Sequence, residues 1–115
     1  MTRDNFSSLF DLLPIGAYRT SPEGRQLRAN QALVRLNGYA SEDEMLAAAN
    51  DLDSGWYVSP QRRDEFRRAM DTQGFVSNFV SEVYRHKTRE RIWIREHAHV
   101  VIDAEAGPRY DEGTV

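Results

Sequence analysis

Two histidines near the C-terminal end of the chain have the residue type of a metal ligand. His97 and His99 flank Ala98, so on a strand their side chains point to the same face. A pair of imidazoles with this spacing can bind a metal at a protein surface, but a metal site needs further ligands. The sequence offers no obvious third ligand. We therefore interpret both histidines as solvated or interface residues and expect no metal site.

Glu96 is a carboxylate that the sequence places inside the fold. Between residues 91 and 102 the even positions are apolar except for Glu96, so alternation turns this side chain toward the core. The preceding stretch, 75–84, does not decide its own inward face. One alternating set is Phe75, Ser77, Phe79, Ser81 and Val83, and the competing set is Val76, Asn78, Val80, Glu82 and Tyr84.

The composition excludes several kinds of chemistry. The 115 residues include no cysteine, which excludes disulfides, thiolate nucleophiles, iron–sulfur clusters and a cysteinyl–flavin bond. The serines, histidines and aspartates form no nucleophile elbow or phosphate loop, so we expect no enzyme activity. A net charge of −3 argues against nucleic-acid binding. Without a signal peptide or a long apolar run, the sequence predicts a cytoplasmic domain with no membrane insertion.

Cap and turn residues divide the chain into short elements. The helical patterns cover 4–13, 30–38, a segment that opens at Ser41, and 59–73. The strand patterns cover 15–20, 26–29, 75–86, 91–102 and 109–115. Turns are predicted at 21–24 and 87–90, where the strands form hairpins. This order indicates an α+β domain with one antiparallel sheet and with its helices on one face.

The ordered set of these pieces resembles the PAS sensor family over residues 13–115. The resemblance rests on the segment from Leu13 to Thr20, the Pro22-Glu23-Gly24 turn, Ala29 through Tyr39, Tyr57 through Pro60, Trp93 through Ala98, and Tyr110 through Val115. It implies a PAS-like five-stranded antiparallel sheet and helices that enclose a small cavity. The apolar spacing at 4–13 predicts an amphipathic helix, so we expect an N-terminal flanking helix at 1–14 before a sensor domain at 15–115. Thr88 and Arg89 stand where the family usually has an Asp-Gly hairpin.

The resemblance further implies a role in bacterial signal transduction. Such domains sense a ligand or another stimulus and control a covalently attached output domain, commonly a histidine kinase of a two-component system or a diguanylate cyclase. In the family the last strand continues into a coupling segment, and we expect this chain to end before that segment. We therefore interpret the chain as a sensor module of a larger protein.

The resemblance also favours one inward face for residues 75–84, namely the set that contains Glu82. With a three-residue hairpin loop, Glu82 would lie opposite Glu96, and one of two buried carboxylates would hold a proton or meet a cation. One hypothesis is a pocket for a ligand that bears an amine, hydroxyl or guanidinium group. The alternative is that Arg28, Arg62 or a water satisfies both carboxylates. The candidate cavity residues are Trp56, Phe66, Met70, Asn78, Glu82, Tyr84, Ile94, Glu96 and Ala98. The spacing of Trp56, Phe66 and Met70 favours core residues first and cavity lining second.

The same choice of face leaves Phe79, Val83 and Trp93 as an apolar patch on the outside of the sheet. Water should not cover such a patch, so we expect the N-terminal helix or a second copy to pack there. We predict a homodimer. Its candidate interface residues are Phe6, Leu9, Phe10, Phe79 and Trp93. The arginines at 62, 63, 67 and 68 are interpreted as a solvated helix face.

The cofactors of the family can be compared with the residues present. Haem-binding relatives usually supply a histidine from the long helix, and 59–73 contains none. Non-covalent flavin stays open, beside an unidentified small molecule. Two other functions remain alternatives: a ligand-free dimerisation or partner-docking scaffold, and a small enzyme in a cone-shaped fold of the ketosteroid-isomerase type. The enzyme would require an inward carboxylate with a raised pKa in an open mouth.

Overall fold

The part of the chain that the structure describes forms a five-stranded antiparallel sheet with three helices. The computed structural model describes residues 9–21, 23–51, 55–102 and 109–115. Its strands are β1 Ala17–Thr20, β2 Gln26–Ala29, β3 Phe75–Tyr84, β4 Arg91–Ile102 and β5 Arg109–Thr114. Its helices are α1 Gln31–Leu36, α2 Glu42–Asp51 and α3 Pro60–Gln73, and a helical turn at 9–12 precedes β1. The predicted α+β class is confirmed.

The sheet order is β2-β1-β5-β4-β3, so the last strand lies at the centre and joins the two hairpins. One face of the sheet packs against the helices and forms the hydrophobic core. The buried core residues are Tyr18, Ala29, Leu33, Val34, Tyr39, Met45, Met70, Val76 and Ala98. No helix among these described segments has both the length and the apolar character needed to cross a membrane.

Asn30 is the predicted N-cap of α1 and is fully buried. Its side-chain oxygen accepts hydrogen bonds from the backbone N–H groups of Leu33 at 3.0 Å and Ala17 at 2.9 Å. Its amide nitrogen donates to the carbonyl oxygens of Phe10 and Ile15, each at 3.0 Å. One side chain therefore caps the helix and fixes the chain that enters β1.

A β-bulge in β3 changes the predicted inward face. Val76 pairs with Ala98, but Phe79 pairs with Glu96, so Ser77 and Asn78 together lie opposite His97. Asn78 has a φ of 54°, in the left-handed region that asparagine tolerates better than most residues. The extra residue shifts the alternation by one position. Beyond the bulge, the residues that face the helices are therefore Phe79, Ser81 and Val83.

The bulge makes the predicted Glu82–Glu96 pair wrong. Glu82 lies opposite Trp93, and Phe79 lies opposite Glu96. The predicted inward face of β4 is right in the middle of the strand, where Ile94, Glu96 and Ala98 are buried. At the end of β4 the core no longer covers this face, because Ile102 is 72% exposed.

The hairpin between β3 and β4 opens two residues earlier than predicted. β3 ends at Tyr84, and the backbone N–H of Arg85 donates to the carbonyl of Glu90 at 2.7 Å. Arg89 has a φ of 64° and donates its N–H to the carbonyl of Arg85 at 2.7 Å. Arg89 thus adopts the conformation that a glycine usually supplies in such a turn. This geometry releases His86 from the strand and lets it enter the interior, where it is buried.

Candidate ligand-binding cavity

A cavity of about 170 Å³ lies between the sheet and the helices. Its apolar and small lining residues are Gly24, Leu33, Met45, Ala49, Gly55, Trp56 and Phe66. Its polar lining residues are Tyr18, Thr20, Gln26, Asn37, Tyr57, Arg63, Arg67, His86 and Glu96. Each of the three helices contributes residues to this wall, so the cavity depends on the whole fold.

Glu96 is the buried acid of the cavity, with only 2% of its surface exposed. Tyr57 donates its hydroxyl to Oε1 at 2.6 Å, and Tyr18 donates its hydroxyl to Oε2. Both donors come from elements distant in sequence, β1 and the segment before α3. Glu96 on β4 thereby joins three parts of the fold, and its two oxygens are both hydrogen-bonded.

Burial controls the protonation of this cluster. Desolvation raises the pKa of Glu96, while the two tyrosine hydrogen bonds and the charge of Arg62 oppose that rise. Burial also raises the pKa of Tyr18 and of Tyr57, and the negative charge of Glu96 adds to both shifts. The tyrosines therefore remain protonated donors across the physiological range.

Gly113 allows Tyr18 to reach Glu96. A Cβ at position 113 would lie 2.5 Å from the Tyr18 hydroxyl oxygen and 2.6 Å from its Cζ. The ring of Tyr18 therefore crosses β5 directly above Gly113, where only hydrogen fits. A side chain at 113 would push the hydroxyl away from the carboxylate.

The segment before α3 positions Tyr57 through an isolated antiparallel β-bridge between Tyr57 and Val83 at the edge of β3. Val58 donates its N–H to the carbonyl of Glu82 at 3.0 Å, and Tyr84 donates to the carbonyl of Trp56 at 2.8 Å. The Tyr57 ring lies beside the rings of Trp56 and Phe66, with centroid distances of 5.4 and 6.3 Å. These contacts hold the hydroxyl over Glu96.

Asn37 and His86 form a second polar wall. Oδ1 of Asn37 accepts hydrogen bonds from the backbone N–H of His86 at 2.9 Å and from Nε1 of Trp56 at 3.2 Å. The hydroxyl of Tyr39 lies 2.6 Å from Nδ1 of His86. Burial raises the pKa of Tyr39. Asn37 thus connects the end of α1, the hairpin and the segment that carries Tyr57.

Two arginines of α3 face the protein, in contrast to the predicted solvated face. The Arg62 guanidinium lies 3.6 Å from the centre of the Phe79 ring and donates to Ser81 Oγ and to the carbonyl of Val80, both at 2.9 Å. Arg67 donates to Oδ2 of Asp111 at 2.9 Å, and Asp111 is fully buried. The latter ion pair connects the helix beside the cavity to β5.

Neither arginine proposed from the sequence forms an ion pair with Glu96. Arg28 pairs with Glu42 at 2.7 Å on the surface, and Arg62 is engaged with β3. The predicted buried acid is therefore satisfied by tyrosines instead of arginines. The sequence does not predict these tyrosine donors. Tyr18, Tyr57 and Glu96 are far apart in the chain and meet only once the sheet and the 55–58 segment have formed.

Comparison with solved structures identifies the fold. A PAS domain from Colwellia psychrerythraea matches 99% of this chain and 94% of its own, with a TM-score of 0.75 and 16% identity. A PAS domain from a two-component sensor histidine kinase matches 99% and 96%, with a TM-score of 0.76 and 13% identity. This chain has the PAS fold. No protein-family model and no curated protein match its sequence significantly.

A light-oxygen-voltage domain described with a flavin analogue also shares the PAS fold, with a TM-score of 0.69 and 18% identity over 99% of this chain and 84% of its own. The cavity here does not fit that cofactor. Its 170 Å³ is close to the roughly 150 Å³ of an engineered cavity that holds one benzene ring. A flavin has three fused rings and a haem is larger still.

The PAS cavity contains three of the nine candidate cavity residues: Trp56, Phe66 and Glu96. Met70, Ile94 and Ala98 are buried in the core without lining the cavity. The other three lie elsewhere because of the bulge and the early hairpin. Asn78 is exposed at the bulge, Glu82 lies opposite Trp93, and Tyr84 lies under the guanidinium of Arg89 at 4.1 Å.

Some of the candidate dimer residues are exposed in the structure and others are buried. Leu9 is 63% exposed and Trp93 is 69% exposed, as an interface outside the PAS core would require. Phe10 is instead buried, with the Arg28 guanidinium 4.8 Å from its ring centre. The bulge turns Phe79 and Val83 inward, so neither belongs to an outer patch. Phe6 and most of the predicted helix at 4–13 lie outside the described residues.

The two histidines singled out from the sequence lie on the outer face of β4, where both are exposed. Nδ1 of His97 accepts the N–H of Asn78 at 3.3 Å, and Nε2 of His99 lies 3.6 Å from Oε1 of Glu112. Within the part of the chain that the structure describes, no three His, Asp or Glu residues form a cluster that could hold a metal.

Proposed function

We propose that this PAS domain is the sensory module of a larger signalling protein and that a small molecule bound in its cavity is the stimulus. The observation that carries the proposal is the Tyr18–Glu96–Tyr57 cluster in a ring-sized space. Glu96 keeps unused lone pairs beside its two tyrosine donors, and polar groups that line a cavity of this size are typical of a ligand site. The polar lining therefore favours a ligand sensor over a scaffold with a side-chain-filled interior.

The proposed signal leaves the cavity through β5. Tyr18 crosses Gly113 on this strand, and Arg67 of α3 binds its Asp111. A ligand that moved α3 or Tyr18 would therefore act on the strand that ends the described chain. The similarity to a PAS domain of a sensor histidine kinase supports an attached kinase as the output, with a diguanylate cyclase as the second candidate.

A thermal-shift screen of small metabolites against the purified chain tests ligand binding. We expect at least one compound of ring size or smaller to raise the melting temperature. Ala49→Phe should abolish that shift, because Ala49 of α2 lines the cavity and a phenyl ring would fill it. Ala47→Phe is the matched control, since Ala47 is exposed on the same helix. Equal shifts in both variants would place the ligand outside the cavity.

The alternative is a ligand-free dimerisation or docking domain. It would give no ligand in the screen, and Ala49→Phe would then behave as a cavity-filling substitution that preserves or raises stability. The cone-shaped enzyme considered from the sequence is not favoured, because the strand order and the matching structures are those of PAS domains.

A further inference from the structure

The cavity wall carries charged groups of both signs. Glu96 lies at the buried sheet surface, and the guanidinium of Arg63 lies against the backbone of Gly24, in the turn between β1 and β2. A Cβ at Gly24 would be only 2.5 Å from Nη2 of Arg63, so the missing side chain leaves room for the guanidinium. Gly24 also has a φ of 94°, which a side chain would strain.

Arg63 differs from Arg62 and Arg67 on α3 in its hydrogen bonding. Arg62 bonds to Ser81 and Val80, and Arg67 bonds to Asp111. Among the described residues, no hydrogen bond or ion pair engages Arg63. Arg63 is an exposed residue that also lines the cavity, so its guanidinium can bind a group of the ligand.

Glu96 can accept more hydrogen bonds than it receives. Each carboxylate oxygen accepts one tyrosine O–H, although each has two lone-pair sites. The unused positions can accept donors from a ligand. An ammonium group supplies several N–H donors and a positive charge, which matches a buried carboxylate better than a neutral group does.

Apolar side chains of the core and its edge also line the cavity beside these charged groups. They are Leu33, Met45, Trp56 and Phe66. A ligand that bound only through charges would leave these side chains in contact with water. The lining therefore matches a molecule with two charged ends and a small apolar part.

Resting on the proposed ligand-binding function, we propose that the ligand is a small zwitterion of the amino-acid class, with its ammonium at Glu96, its carboxylate at Arg63 and its apolar part against Trp56 and Phe66. Such a ligand brings one counter-charge to each of the two protein groups. A simple amine would leave Arg63 without an anion, and a simple acid would introduce a negative charge beside Glu96.

Isothermal titration calorimetry on the purified chain tests the ligand class. The probes are leucine, phenylalanine and 4-aminobutyrate, each accompanied by the amine that lacks its carboxylate and the acid that lacks its amine. We expect at least one zwitterion to bind ~10-fold or more tightly than both of its single-charge analogues, since a hydrogen bond to a charged group is typically worth that factor.

Two variants test the assigned contacts. Arg63→Gln and Glu96→Gln should each weaken binding of the zwitterion ~10-fold or more. Arg68→Gln on the same helix and Glu82→Gln on the neighbouring strand do not alter the cavity and should leave the affinity unchanged. Circular dichroism of every variant verifies that the protein is folded.

The inference is overturned if an amine or acid analogue binds as tightly as its zwitterion, or if folded Arg63→Gln and Glu96→Gln bind with unchanged affinity. It is also overturned if another kind of molecule occupies the cavity and no amino acid binds, and in that case the proposed sensory function stands. If no probe and no library compound binds, both proposals fail.

Discussion

Glu96 shows how a buried acid is accommodated without a salt bridge. Two tyrosine hydroxyls replace part of the hydration that its carboxylate loses, and both must stay protonated to do so. Because the donors come from β1 and from the segment before α3, each hydrogen bond also joins distant parts of the chain. The residue is therefore both the proposed ligand contact and a structural junction.

Removing either tyrosine hydroxyl should destabilise the fold. Tyr18→Phe and Tyr57→Phe each leave one oxygen of Glu96 without its donor, and we expect the free energy of unfolding to fall by about 1–3 kcal/mol. Urea unfolding measures the change. Tyr110→Phe is the control, because that ring lies near Arg19 on the other side of the sheet. Equal effects of all three variants would show that the Glu96 contacts contribute nothing specific.

The raised pKa of Glu96 predicts a particular dependence of stability on pH. The folded protein holds the Glu96 proton more tightly than the unfolded chain, so its stabilising contribution is complete below about pH 4.3, the pKa of an exposed glutamate. That contribution is lost as the pH rises through the higher folded pKa. In Glu96→Gln this titration is absent.

The stability of the wild-type chain should therefore decline relative to Glu96→Gln as the pH rises from 4 toward 8. Urea unfolding of both proteins across this range measures the difference, and the other titrating groups largely cancel in it. A constant difference, or one that changes with the opposite sign, would show that the pKa of Glu96 is not raised in the folded protein.

At the scale of elements, the β3 bulge explains where sequence reasoning succeeded and failed. Alternation in β4 identifies the inward side chains from Ile94 to Ala98, because that stretch of the strand is regular. In β3, the set that contains Val76 faces inward before the bulge, and the set that contains Phe79 faces inward after it. Alternation assumes one residue per pairing position, so it cannot locate an extra residue at Ser77–Asn78.

The bulge itself can be tested at Asn78. Asn78→Gly should change the free energy of unfolding little, since glycine adopts a φ of 54° without strain. Asn78→Val should destabilise the chain by about 1–2 kcal/mol, because a β-branched side chain is strained in that region. Urea unfolding compares the two. If valine were tolerated as well as glycine, β3 would continue without a bulge and the predicted inward set would be restored.

At the scale of the whole molecule, the fold was more predictable than the cavity. The order of helices, strands, caps and turns carries the PAS resemblance, and each of those signals is local. The cavity depends on three side chains separated by up to 78 residues, Tyr18, Tyr57 and Glu96. Their contacts depend on a glycine at 113 and on the β-bridge between Tyr57 and Val83, neither of which residue spacing reveals.

Dimer formation remains a prediction for the whole molecule. Leu9 and Trp93 are exposed apolar residues, so Leu9→Ser with Trp93→Thr should dissociate a homodimer that uses this face. Sedimentation equilibrium measures the mass, for which we expect twice 13.3 kDa for the wild-type chain. Ile102→Thr is the control, because Ile102 is exposed at the end of β4. A wild-type mass of 13.3 kDa at high concentration would contradict the prediction.

Native mass spectrometry of the freshly purified chain, compared with its denatured mass, tests the central claim that the cavity binds a small molecule. We predict additional mass on each protomer in the native spectrum, its loss on denaturation, and its absence in Ala49→Phe but not in Ala47→Phe. An unmodified native mass that no compound of the thermal-shift screen increases would contradict the claim and leave a PAS fold with a scaffold role.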